Sequence, residues 1–186
     1  MKQEFIITVY SENNIGLLNR LTINFTRRKM NIDSITASQS AISGVSKFTI
    51  VLSETEERVK KVVMQIEKMV DVLKAFYHTT DQVVYQELAL YKVSTESIYD
   101  SDQIERLVRE SGARILEITR EFTVIEKTGH KDETQRLFED LVQFGVLQFI
   151  RTGCIAITRD PIERLSEFLK ERDALLAHSN SFKEES

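Results

Sequence analysis

Cysteine and proline are almost missing from this chain, and tryptophan is missing altogether: one Cys, one Pro and no Trp among 186 residues. A lone Cys154 excludes an internal disulfide, which suits a reducing compartment. With so little Pro and only six Gly, long disordered stretches are not expected before the C-terminal end. No apolar run approaches the roughly 20 residues that cross a bilayer. The first residues lack the basic-then-apolar layout of a signal peptide, and strand-like sequence begins by Phe5. The chain therefore reads as cytoplasmic, with no membrane contact.

Charge of one sign is lacking as well. Lys and Arg number 25 and Asp and Glu 29, for a net charge of −4, and the two signs are interspersed. A nucleic-acid binder concentrates basic residues on one face, because phosphate contacts supply most of its affinity. The one basic run, Arg27-Arg28-Lys29, falls at an expected helix C-terminus, where cations complement the dipole. No nucleic-acid partner is expected.

What is present is a regular alternation of elements. Residues 4–10 are β-branched and aromatic and read as a strand. Leu17, Leu18, Leu21 and Phe25 recur at helical spacing, so 17–29 reads as a helix. Strands follow at 31–40 and 45–52, the second after a turn at Ser43-Gly44. Ser53 with Glu56 reads as a capping box, opening a helix with Val59, Val62, Val63, Ile66, Met69 and Val70 on its apolar face. A strand at 71–77 completes the order βαββαβ, a ferredoxin-like unit.

The order then repeats without evident sequence identity. Strands are expected at 84–93, 113–118, 122–127 and 146–158, with two helices between them. The first carries Ile104, Leu107 and Val108 and stops at Gly112; the second carries Leu137, Leu141 and Phe144. Polar residues 79–83 read as the linker. Asp160 and Pro161 read as the start of one more helix, with Ile162, Leu165, Phe168 and Leu169 on one face and a fraying end. The fold class is α+β: two tandem ferredoxin-like domains, at 1–78 and 84–159, plus a C-terminal helix and tail at 160–186.

Catalytic constellations are not found. His78, His130 and His178 have no Cys, Asp or Glu partners at metal-ligand spacing, so no metal site is expected. Cys154 lies in an apolar strand and reads as a small core residue. No Gly-rich phosphate loop is present. A ferredoxin-like acylphosphatase would need an Arg-containing loop after its first strand, and here no Arg precedes Arg20. Catalytic residues are expected to be absent.

One loop carries a signal. After the first strand the chain reads Glu12-Asn13-Asn14-Ile15-Gly16-Leu17-Leu18-Asn19-Arg20. Backbone N–H groups at a helix start attract anions, an α-carboxylate included. Gly16 gives a ligand room to approach the backbone, and Asn13 offers donor and acceptor groups. Asn31 opens the second strand, which a βαβ path can bring near the same loop. A zwitterionic amino acid needs a carboxylate donor and an ammonium acceptor, and these residues supply both. They equally suit a plain Asn/Gly turn capping a helix, and spacing alone leaves both open.

The stretch 12–36, ENNIGLLNRLTINFTRRKMNIDSIT, resembles the ACT-domain signature of acetolactate synthase small subunits. Further matches follow in order: KFTIVL at 47–52, MVDVLKAF at 69–76, QELALYKV at 86–93 and FIRTG at 149–153. The resemblance covers about 1–160 and implies a non-catalytic regulatory subunit for branched-chain amino acid biosynthesis. Such a subunit raises the activity of a thiamine-diphosphate-dependent catalytic subunit and transmits feedback inhibition by valine or a related amino acid. Thiamine diphosphate, Mg and FAD are then expected only on that catalytic partner. The family's inhibitor site lies between two ACT domains, which implies a homodimer. Asn13, Gly16 and Asn31 match its effector-binding positions, and Ile15 and Leu17 accompany them. Two departures stand out: Lys29 replaces the family's Gly at the helix end, and the segment from Thr158 onward is unlike the family. The alternative is a two-domain ACT sensor that regulates another enzyme or a transcription factor.

Overall fold

The computed structural model describes residues 1–96, 102–162, 165 and 167–170. The chain divides into two compact units. The first takes Met1–Asp33, Ala37–Val84 and the described residues from Ile157 onward; the second takes Ser34–Thr36 and Tyr85–Ala156.

In the first unit, β1 (Gln3–Glu12) leads to α1 (Leu17–Thr26), then β2 (Ser34–Gln39), β3 (Val45–Glu54), α2 (Glu56–Ile66) and β4 (Val72–Thr79). The sheet order is β2-β3-β1-β4, the ferredoxin-like arrangement. β1 lies antiparallel to both neighbours, with Ile7 opposite Ile50 of β3 and Tyr77 of β4. Because side chains alternate along a strand, Phe5, Ile7 and Val9 share a face with Phe48, Ile50, Leu52 and Ala75, and all are buried. Leu17, Leu21 and Phe25 of α1 and Val59, Val62, Val63 and Ile66 of α2 are buried too, as helical spacing on one face requires. The opposite face of β1 carries Ile6, Thr8 and Tyr10; Ile6 and Thr8 are also buried.

The second unit repeats the plan. A short 3-10 turn (Thr80–Gln82) precedes β5 (Val83–Ser94); α3 (Asp102–Glu110), β6 (Arg114–Ile118), β7 (Phe122–Gly129), α4 (Lys131–Val142) and β8 (Val146–Arg151) follow. The order β6-β7-β5-β8 mirrors the first sheet, and β9 (Ile155–Thr158) adds a further pairing to β5. The core gathers Ala89, Tyr91 and Val93 with Ile104, Val108, Ile125, Leu137 and Leu141. The Tyr91 hydroxyl donates to the Thr134 carbonyl at 2.7 Å, which satisfies the one polar atom of that buried ring.

Several local expectations are corrected. Ser53 is not a helix cap: β3 continues to Glu54, paired with β1, and α2 begins after Thr55. The Ser53 hydroxyl instead donates to Asp33 at 3.1 Å. Met69 and Val70 lie beyond α2, and Val70 is fully exposed. Residues 79–83 contain the 3-10 turn Thr80–Gln82, around which Thr79 and Gln82 form a capping box. The expected strand 146–158 is two strands, broken at 152–154. Pro161 and Ile162 form a bend, while Leu165 and residues 167–170 are helical. Residues 171–186 of the expected C-terminal helix and tail, and His178 with them, lie outside the described residues.

Candidate functional site

The loop from Glu12 to Gly16 is held by the backbone on both sides. Glu12 N–H donates to the Asp71 carbonyl at 2.9 Å, and Asn13 N–H to the Gly44 carbonyl at 3.1 Å. Asn13 Oδ1 accepts from the Ser46 hydroxyl at 3.3 Å. Asn14 Nδ2 donates to Asp71 Oδ1 at 2.7 Å, and Arg20 pairs with the same carboxylate at 2.5 Å. The Asn14 hydrogen bond, with Arg20 beside it, holds the Asp71 carboxyl below its ordinary pKa against an opposing contribution from partial burial. A charged group on β4's leading turn thus fixes the loop that opens α1.

Gly16 is the N-cap of α1 at φ 80°, in the left-handed region that favours glycine. A Cβ built there meets nothing within 4 Å, so backbone conformation, and not lack of space, calls for glycine. No side chain caps α1, and its first turn holds no acidic residue. The positive end of the helix dipole therefore has no carboxylate of its own. Ile15 is fully exposed at the loop tip, while Leu17 is 2% exposed with its side chain in the core. Leu17 can meet a ligand only through its backbone.

Asn31 is not near this loop. It precedes β2, and its amide donates to Asp33 Oδ1 at 3.5 Å; Asp33 N–H in turn reaches the Val51 carbonyl. Asn13 lies at the Val45 end of β3 and Asn31 toward the Val51 end. The ten residues of α1 between them span about 15 Å at the helical rise. The expectation that one chain brings these residues together fails because α1 runs back along the sheet before β2 begins.

Lys29, where the family signature has Gly, takes the left-handed conformation at φ 51°. Lys29 N–H reaches the Thr26 carbonyl and Met30 N–H the Phe25 carbonyl, the two bonds of a Schellman cap. The Met30 and Phe25 side chains are both buried. The substitution keeps the glycine geometry and places strain in the backbone.

An open cavity of about 580 Å³ flanks the loop, with Glu12, Asn13, Asn14, Gly44, Leu73 and Leu169 among its lining residues. Sequence reasoning missed Leu73 and Leu169. Leu73 is the extra residue where the β1–β4 register shifts between Tyr10 and Ser11, and Leu169 arrives from the far end of the chain. A second cavity of about 590 Å³, lined by Glu56, Tyr77, His78 and Arg159 among others, contains none of the expected site residues. Among the described residues, no cluster of three or more His, Cys, Asp or Glu is arranged to hold a metal ion. Among the same residues, no helix is long and apolar enough to cross a membrane.

Comparison with known proteins covers both units. Residues 86–160 match the family described as the small subunit of acetolactate synthase, and residues 7–74 match the AHAS small subunit-like ACT domain. The acetolactate synthase small subunit of Bacillus subtilis is 34% identical over 162 residues, covering 87% of this chain and 94% of that one. That of Mycobacterium leprae is 31% identical over 155 residues, covering 83% of this chain and 91% of that one. The crystal structure of the small subunit from Thermotoga maritima superposes with a TM-score of 0.78 at 28% identity, covering 86% of this chain and 99% of that one. The chain belongs to the family of acetolactate synthase small subunits.

Proposed function

We propose that this chain is a regulatory subunit that activates the thiamine-diphosphate-dependent catalytic subunit of acetolactate synthase and confers feedback inhibition by valine or a related branched-chain amino acid. The observation that carries the sensing half is the start of α1. An amide-rich loop leads into a helix whose N-terminal end has no side-chain cap and no acidic residue in its first turn. An α-carboxylate there gains charge-assisted hydrogen bonds and a favourable dipole. Asn13 sits beside it, and Ile15 offers an exposed apolar contact.

In this reading the chain works as a homodimer through its ACT domains. A two-fold axis across the sheet edge turns one copy end for end relative to the other. The loop of one copy then faces Asn31 of its partner, which reunites residues that one chain keeps at opposite ends. β2 is the edge strand on this path, and its last three residues are exposed. The reaction's cofactors, thiamine diphosphate, Mg and FAD, belong to the catalytic partner, and this chain supplies no reacting group.

The test is reconstitution. Adding the chain to the purified catalytic subunit should raise acetolactate formation, and valine should reverse the increase. Absence of any stimulation would overturn the reading.

A further inference from the structure

A ferredoxin-like unit packs its helices on one face of the sheet and leaves the other face without one. In the first unit that other face carries Ile6, Thr8 and Tyr10 of β1. Their register partners are Val51, Thr49 and Lys47 on β3 and His78, Phe76 and Lys74 on β4. Side chains in the middle of a bare face would be open to water. Here Ile6, Thr8, Thr49 and Val51 are all buried. A face with no helix of its own βαββαβ unit is thus covered.

The C-terminal segment reaches this face. The family match ends at residue 160, yet the described residues beyond it belong to the first unit. Leu165, Phe168 and Leu169 stand at helical spacing, on one side of the segment. Leu165 is buried and Phe168 and Leu169 are half-buried, while Glu167 and Lys170 are exposed. The Phe168 ring lies 5.8 Å from Lys74 Nζ, and Glu67 holds the same ammonium at 2.8 Å. Lys74 is the register partner of Tyr10, whose ring meets Phe76 edge-on at 6.5 Å. Phe168 therefore comes down at the Tyr10 and Phe76 end of the helix-free face.

We propose that the C-terminal segment, through Leu165, Phe168 and Leu169, is an intramolecular cover that occupies the helix-free face of the first sheet and keeps a second copy of this chain from docking there. Uncovered, the face would set Ile6, Val51 and Phe76 against the same residues of another molecule, because sheets pack face to face through such side chains. A contiguous exposed apolar patch is an association site. Few side chains hold the cover, so it opens more readily than the sheet beneath it. The inference does not depend on the effector reading.

The test uses the full chain carrying Thr8→Cys, which puts a thiol in the middle of the covered face. The parent chain, with Cys154 alone, supplies the background. Thiol labelling should be about tenfold or more faster when Phe168→Asp is added to Thr8→Cys, the effect of withdrawing a ring from an apolar contact. The double variant should also sediment faster as its concentration rises, beyond any such change in the parent. Phe168→Leu keeps the segment apolar and should restore slow labelling and parental sedimentation. Labelling at one rate with and without Phe168→Asp, at unchanged circular dichroism, overturns the cover. Faster labelling without added association overturns the claim that the cover keeps a second copy away. Loss of the native circular dichroism in Phe168→Asp and in Phe168→Ala alike would make the segment part of the core and overturn the inference as well.

Discussion

Asn14 donates its side-chain amide to Asp71 at 2.7 Å, tying the loop before α1 to the turn before β4, 57 residues away in sequence. Arg20, one turn into α1, holds the same carboxylate. Beside its backbone hydrogen bonds, the loop is thus tied through one charged side chain, and that carboxyl's pKa is lowered first by the Asn14 bond.

A carboxyl whose folded pKa lies below its unfolded value contributes stability above the ordinary value of 3.8, and loses it as pH falls through the lowered one. Wild-type thermal stability should fall more steeply from about pH 5 to about pH 3 than that of Asp71→Asn, which lacks this titration. Above that window Asp71→Asn should be the less stable protein, with faster amide hydrogen exchange at Asn13 to Gly16. Parallel pH profiles for the two proteins would contradict the role given to Asp71.

Leu165 is buried within the described part of the C-terminal segment. Leu165→Ala should destabilise the chain by about 2–3 kcal/mol, the usual effect of emptying a filled apolar site. Urea unfolding followed by circular dichroism measures it. A shift within error would mean that this segment is an appendage and not part of the first unit's packing.

Lys29 holds φ 51° at an exposed helix end, a conformation that costs an L side chain about 1–2 kcal/mol. Glycine removes that strain but carries more unfolded-chain entropy. Lys29→Gly should therefore stabilise by about 0.5 kcal/mol, with the net sign set by the strain. Unfolding midpoints of the two proteins check it, and a less stable Lys29→Gly would show that the Schellman cap carries no strain.

Much of this fold was legible from periodicity. Val59, Val62, Val63 and Ile66 were read as one helix face and are buried together. The repeat of βαββαβ was read from element order and appears as two sheets with matching strand order. Failures came where tertiary pairing overrides a local pattern. Ser53 and Glu56 have the spacing of a capping box, yet Ser53 is drawn into β3 by pairing with Glu4. A βαβ path permits Asn31 beside Asn13, but the direction of α1 separates them. Leu169 falls on an apolar helical face, yet nothing in its spacing says which cavity it lines. The site loop itself was visible as a run of Asn and Gly, while the tie from Asp71 was not, since a contact across 57 residues leaves no local trace.

The central claim is that the loop into α1 senses a branched-chain amino acid, and a valine titration of the reconstituted enzyme carrying Gly16→Asp tests it most directly. Aspartate at φ 80° is strained and brings a carboxylate to the N–H groups that the effector's own carboxylate needs. Losing two such charge-assisted bonds, at about 1.5–3 kcal/mol each, weakens binding by about a hundredfold or more. The account predicts that activation survives while inhibition by valine disappears, with Asn31→Ala acting in the same direction more mildly. Inhibition by valine at wild-type concentrations in Gly16→Asp would contradict it.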